Sequence, residues 1–383
     1  MEGLGLTCDR DRNMINAVDV VTKDLEYICE SLTEELSCLS GKKLLITGGA
    51  GFLGYYLVQT VTHWNKERDP MQHIHLTVYD NFIRGVPAWL TELKHDNKVE
   101  VFAHDITGPL PSDIGDYEFI IHAASIASPT YYRKYPIQTM DANVNGLRIL
   151  LSYCMRQKEK NTPVEGFLFF SSSEIYGDPA PEHIPTPESY NGNVSCTGPR
   201  ACYDESKRYG ETLCVNFFRQ HGLPIKVARP FNNYGPGLKL SDGRVIPDFV
   251  RDVLSGRDIV MLSDGSPTRT FCYIADAVVG YYKVLVKGRS GEAYNIGVED
   301  PEISIADLAK RIVYTSKELF NFEGRVICKD SRDKDYLVDN PNRRCPMIGK
   351  ARRDFDYAPN ISIDEGLRRS LIWYYDNRDS REE

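Results

Sequence analysis

A short apolar run, Lys43-Leu44-Leu45-Ile46-Thr47, leads directly into Gly48-Gly49-Ala50-Gly51-Phe52-Leu53-Gly54, and this junction constrains the chain more than any other stretch. The glycines recur every third residue, and Phe52 to His63 continues with a helical pattern. The unit therefore reads as strand, tight turn, helix. Backbone N–H groups at the start of such a helix have no partner within it and can bind phosphate. A Cβ at Gly48, Gly51 or Gly54 would clash with a pyrophosphate or block the turn. A glycine triplet alone is a weak signal. It gains weight from a second apolar run, His75 to Tyr79, that closes on Asp80. A carboxylate there accepts hydrogen bonds from a ribose 2′-hydroxyl and repels a 2′-phosphate, so NAD is expected rather than NADP. The gap from Gly54 to Asp80 is slightly long, and the polar loop 65–73 accounts for it. Phe52, Leu53, Asn81 and Phe82 fall on the same cofactor side. Asp105-Ile106 is expected near the adenine, with a plain surface role as the alternative for Asp105, and Ala123 completes the set.

Further apolar runs follow at Val99–Ala103, Phe119–Ala123, Phe167–Phe170 and Ile225–Ala228, with helical stretches between most of them. Strands covered on both faces read as continuous apolar runs. Alternating β and α elements imply an α/β fold with a Rossmann-type, doubly wound parallel sheet and right-handed crossovers. Past about residue 230, Gly and Pro become frequent. Capping pairs at Ser304/Asp307 and Ser362/Glu365 mark two later helices. The expected division is an N-terminal helical extension over 1–40, an NAD-binding domain over 41–229, and a smaller α/β substrate-binding region over 230–383, interleaved with the first. In the extension, Ile15, Val18, Val21, Leu25 and Ile28 recur three and four apart, which predicts an amphipathic helix. Packing on the following domain is the preferred reading over a regulatory role.

Composition excludes several classes. The chain has 383 residues and a formal net charge of −8, and its basic residues form no long run, so nucleic acid is not expected as a partner. The 10 cysteines, among them Cys8, Cys154, Cys202 and Cys345, include no C-x-x-C pair and no zinc spacing. Reduced thiols in the cytoplasm, and no metal, are expected. The acidic N-terminus has no apolar signal core, and no run approaches ~18 apolar residues, so no membrane association is expected.

Tyr203-Asp204-Glu205-Ser206-Lys207 sets a tyrosine and a lysine one helical turn apart on one face. A nearby Lys⁺ would favour the phenolate and let Tyr203 act as a base. Lys207 can also hold the nicotinamide ribose. Ser171-Ser172-Ser173-Glu174-Ile175-Tyr176-Gly177 follows the fifth run, and the Ser172 hydroxyl can bond the same substrate alcohol. Together these features resemble the extended short-chain dehydrogenase/reductase family, from about Lys43 to Tyr375. Asn193 to Glu205, Ala127-Ser128-Pro129 with Tyr132 and Pro136-Ile137, Ala228 to Pro236, Asp242-Gly243-Arg244-Val245, Asp264 to Arg269 with Tyr273, and Arg343-Arg344-Cys345-Pro346 are similar to segments of its UDP-glucuronate decarboxylases (UDP-xylose synthases).

The resemblance implies decarboxylation of a nucleotide-linked hexuronic acid through a 4-keto sugar. Ser172, Glu174, Tyr203, Lys207 and Arg344 are the implied catalytic residues. Glu174 and Arg344 would serve CO₂ loss and reprotonation at C5. Ser128, Tyr132, Ser173, Asn232, Arg244, Arg269 and Tyr273 are the implied substrate contacts, Arg244 and Arg269 being candidates for the diphosphate. The family implies a homodimer through two helices per subunit, one bearing Tyr203 and Lys207. Departures from the pattern cluster near the sugar: Ser172 for the usual Thr, Cys345 for Lys, Ser195-Cys196-Thr197 for a run like Asn-Pro-Ile, and Ile126 for Pro. The alternatives are a nucleotide-sugar 4,6-dehydratase, a uronate 4-epimerase and, more remotely, a non-catalytic NAD-binding protein.

Overall fold

The computed structural model describes residues 15–66, 68–93, 98–329 and 338–378. In chain order the elements begin with α1 (Ala17–Ser31), α2 (Thr33–Leu39), β1 (Lys43–Thr47), α3 (Phe52–Lys66), β2 (His75–Asp80), α4 (Ala88–Leu93), β3 (Val99–Ala103) and β4 (Phe119–His122). Next come α5 (Pro129–Lys134), α6 (Pro136–Asp141), α7 (Leu147–Glu159), β5 (Gly166–Phe170), α8 (Ala201–His221), β6 (Ile225–Pro230) and β7 (Asn233–Tyr234). The remainder is α9 (Val245–Leu254), β8 (Ile259–Met261), β9 (Thr268–Arg269), β10 (Cys272–Tyr273), α10 (Ile274–Lys287), β11 (Ala293–Ile296), β12 (Ile303–Ser304), α11 (Ile305–Phe320), β13 (Val326–Cys328), β14 (Arg343–Arg344), α12 (Gly349–Phe355) and α13 (Ile363–Asp376).

The six apolar runs are six parallel strands of one sheet, in the order β11-β6-β5-β4-β1-β2-β3. The seventh, β11, pairs with β6 from well beyond residue 230. The two main regions therefore interleave, because α10 and β11 return to finish the sheet. Alternation along β1 supplies both faces. Leu44 and Ile46 join the core that contains α3 and α10, whereas Leu45 joins the one that contains Leu147, Leu151 and Leu213 of α7 and α8. The order reverses between β1 and β4, and this opens a crevice above the strands' carboxyl ends, where ligands bind in open α/β sheets. The Ser304 and Ser362 hydroxyls cap α11 and α13 as expected.

The N-terminal extension packs on the domain behind it, with α1 against α3, α10 and α13. Its inward face is rotated from the expected stripe: Val20, Asp24, Leu25 and Ile28 are buried, while Val18 is 73% exposed. The centre of that face is polar, since the buried Asp24 accepts hydrogen bonds from Tyr56 Oη (2.5 Å), Tyr273 Oη (2.6 Å) and an Arg369 guanidinium N–H (2.6 Å). An apolar-stripe reading could not register a carboxylate as the anchor. Nine cysteines are free thiols among the described residues, and Cys8 lies outside them. Among the described residues no His/Cys/Asp/Glu group could hold a metal ion, and no helix is long and apolar enough to cross a membrane.

Candidate active site

A cleft of about 570 Å³ opens over the ends of β1, β2, β4 and β5. On one side lies the glycine turn. Gly48 has φ +76°, and a Cβ there would stand 2.5 Å from the backbone N of Ala124, so only glycine fits. At Gly54 a Cβ would fall 2.2 Å from the carbonyl oxygen of Gly49, so glycine brings α3 down onto the turn. Asp80 accepts the Ala50 N–H (3.0 Å) and the Phe82 N–H (2.8 Å), one on each carboxylate oxygen. This ties the carboxylate to the turn and leaves each oxygen a lone pair for a ribose hydroxyl. Gly51, Phe52, Leu53, Asn81, Asp105, Ile106 and Ala123 all line the cleft. Asp105 accepts from Thr107 N–H (2.9 Å) and from the Asn81 side chain (3.4 Å). Phe82 departs from expectation: it does not line the cleft, and its contribution is the backbone N–H that holds Asp80. A cradle closed to any Cβ beside an anchored carboxylate fits an NAD pyrophosphate and ribose.

Across the cleft, α8 presents Tyr203, stacked on Tyr132 at 5.2 Å between ring centroids. Ser172 follows β5, caps the next turn by accepting Glu174 N–H (3.2 Å), and hydrogen-bonds Tyr203. Burial raises the Tyr203 phenol to about 12, against the lowering effect of the Ser172 bond and the Arg244 cation. Lys207 Nζ stands 5.7 Å from the centre of the Tyr203 ring. Burial lowers its own pKa to about 7, and its Nζ donates to the Phe170 carbonyl (2.8 Å). Lys207 thus joins β5 to α8 beside the phenol, and Arg244 adds a cation that lowers the phenol pKa.

The most charged corner surrounds Glu174. Arg344 donates both terminal nitrogens to its carboxylate, one at 2.5 Å, and Arg200 donates to the same carboxylate. Burial would raise the Glu174 pKa, but the Arg200 and Arg344 cations overcome it and bring it down to about 2. Strand alternation sends Arg343 and Arg344 to opposite faces. Arg343 points out to Glu302 (2.9 Å), and Arg344, paired in register with Arg269, points in. Arg269 is held by the backbone carbonyls of Thr268 (2.7 Å), Pro341 (2.5 Å) and Asn342 (3.1 Å). It borders the Glu174 corner, where burial and the Arg344 charge lower it to about 9. Arg244 pairs with Asp242 (3.2 Å), which also pairs with Arg84 (2.9 Å).

Ser128, Tyr132, Ser173, Asn232, Arg244 and Arg269 line the same cleft. Ser128 Oγ donates to the Asp242 carbonyl (2.6 Å) and Asn232 to the Thr270 carbonyl (2.9 Å), so both brace the loops that form the wall. Tyr273 is a correction. It is fully buried, does not line the cleft, and spends its hydroxyl on Asp24 of α1. Arg200 was legible but missed: it stands three residues before Tyr203, a spacing that shares a helix face just as the Tyr203/Lys207 spacing does. Arg84 left no such signal, because its partner Asp242 lies 158 residues away.

The model of the NAD dependent epimerase/dehydratase family matches residues 44–297. Among curated proteins, the chain is 35% identical to UDP-glucuronic acid decarboxylase 3 of Arabidopsis thaliana, over 86% of this chain and 88% of that one. It is 34% identical to UDP-glucuronic acid decarboxylase 1 of Xenopus tropicalis, over 87% of this chain and 72% of that one. Among solved structures it resembles DesIV, a dTDP-glucose 4,6-dehydratase from Streptomyces venezuelae with NAD and TYD bound. The TM-score is 0.73 and the identity 25%, over 88% of this chain and 98% of that one. With the sheet order, the glycine cradle and the Ser172/Tyr203/Lys207 group in one cleft, these matches show that the chain belongs to the NAD-dependent epimerase/dehydratase family.

Proposed function

We propose that this protein is an NAD-dependent decarboxylase that converts UDP-glucuronate to UDP-xylose through a 4-keto sugar. One observation carries the reading: Glu174, held by Arg344, shares a cleft with Tyr203 and Ser172. NAD, when bound, supplies the acceptor for the C4 hydride of the sugar and, after CO₂ loss and reprotonation at C5, gives the same hydride back to C4, so that the ketone ends as the xylose alcohol. Tyr203 takes the C4 hydroxyl proton, and Ser172 hydrogen-bonds the same oxygen. Lys207 fixes α8 against β5 and faces the ribose. The resulting ketone is β to the C6 carboxylate, so loss of CO₂ leaves an enolate that the ketone stabilises. Arg344 pairs with the carboxylate before it leaves. Glu174 and Arg344 bracket C5 for its reprotonation.

A dehydratase would use the glutamate but has no need for a carboxylate-pairing arginine, so the Arg344 fork favours the decarboxylase. Ser128, Tyr132, Ser173, Asn232, Arg244 and Arg269 are the proposed sugar-nucleotide contacts. The protein is proposed to work in the cytoplasm as a homodimer. Incubation with UDP-glucuronate and NAD, following product mass and NADH absorbance together, tests the reaction. Loss of CO₂ without lasting NADH is expected; an unchanged substrate mass, or loss of water in place of CO₂, rejects it.

A further inference from the structure

The Glu174 corner holds more positive charge than the chemistry above uses. Arg200, Arg344 and Arg269 converge on one ionised carboxylate. Arg269 is committed to neutral backbone carbonyls, but Arg200 and Arg344 both rest their terminal nitrogens on Glu174. The other acid nearby, Asp204, forms a longer ion pair with Arg200 Nε at 3.7 Å. Arg200 Nε is buried without a hydrogen-bond partner. Burial and the Glu174 charge raise Asp204 to about 7, against the lowering effect of Arg200 and Arg344. Three guanidiniums beside two carboxylates leave the corner net positive, and a further anion entering the cleft would relieve it. The fork that Arg344 offers Glu174 suits any carboxylate. Both arginines and Glu174 line the cleft, so an entering carboxylate meets this corner directly.

We propose that Arg200 and Arg344 together form the site for the sugar carboxylate, that Arg200 is a specificity-determining residue for an acidic sugar, and that Glu174 occupies this site until the substrate carboxylate displaces it. This rests on the reading of the substrate as a nucleotide-linked hexuronic acid. Displacement frees Glu174 from its cations just when an acid-sugar substrate is in place. A neutral sugar cannot make the exchange and leaves Glu174 clamped.

The test is calorimetric binding of UDP-glucuronate and UDP-glucose to the NAD-loaded protein in a Tyr203→Phe background, which blocks turnover. The parent should prefer UDP-glucuronate. Arg200→Ala should weaken UDP-glucuronate by roughly 10- to 100-fold, the size of a lost charged hydrogen bond, and leave UDP-glucose unchanged. Arg200→Lys should retain part of the preference, since it keeps the charge but loses the fork. Glu174→Gln should bind UDP-glucuronate more tightly, by roughly tenfold, because the internal competitor is gone and the arginines lack an anion. Weaker UDP-glucuronate binding in Glu174→Gln, or equal losses for both ligands in Arg200→Ala, overturns the proposal. A parent without preference for the acidic sugar overturns the decarboxylase reading as well. A parent with the preference, kept in Arg200→Ala, removes only the role of Arg200.

Discussion

Burial acts on Tyr203 and Lys207 in opposite senses, raising the phenol to about 12 and lowering the amine to about 7. Tyr203→Phe removes the base and should lower turnover by roughly 10²- to 10⁴-fold, the usual worth of a positioned acid–base group. NADH formation at the parent rate, followed by absorbance, would overturn the assignment. Arg344→Ala should lower kcat for CO₂ release and also weaken UDP-glucuronate binding, which product-mass kinetics will show as a loss in kcat together with a rise in KM. Glu174 also marks the stability of the fold. Its folded pKa, about 2, lies below its ordinary value of 4.5 because Arg200 and Arg344 outweigh burial. Its contribution is therefore complete above about pH 4.5 and is lost as the pH falls toward about 2. Glu174→Gln should flatten the fall of Tm across that window; an identical fall in both proteins would remove Glu174 from the account.

At the level of elements, α1 is bound to the enzyme by a carboxylate. Asp24 joins the cofactor helix α3 through Tyr56, strand β10 through Tyr273, and α13 through Arg369. Asp24→Ala would strand one partly buried guanidinium and two buried hydroxyls, and should cost about 3–5 kcal/mol in urea unfolding, the range for a broken buried pair. A loss below about 1 kcal/mol, typical of an exposed ion pair, would show that α1 contributes little through this contact. The glycine turn was legible because its constraints are local: a positive φ at Gly48 and a close approach at Gly54. The α1 anchor was not, since its partners come from elements up to 345 residues away.

At the scale of the whole molecule, the second region is a return to the first: α10 and β11 pass back to complete the sheet before α11 to α13 close over it. Exposed Ile137 and Met140 on α6 and Tyr209 on α8 leave an apolar surface beside the helix that carries Tyr203 and Lys207. Family resemblance and that surface both lead us to expect a dimer there. Sedimentation should give twice the 43.5 kDa chain mass, and a charged substitution at Met140 should shift it toward monomer; monomer mass for the parent would count against it.

The sequence by itself determined the strands of the sheet except its last, the cofactor turn with Asp80, and the Ser172, Tyr203 and Lys207 group. Each is written in short local segments, where turn sterics, strand alternation and helical pitch set which way the side chains face. Only the tertiary structure decided that Arg344, 170 residues from Glu174, would grip it together with Arg200. It also turned Tyr273 inward to Asp24 and sent β11 back into the first region. Those outcomes depend on charges and hydroxyls that find partners across the chain once burial removes water, and no local period records them.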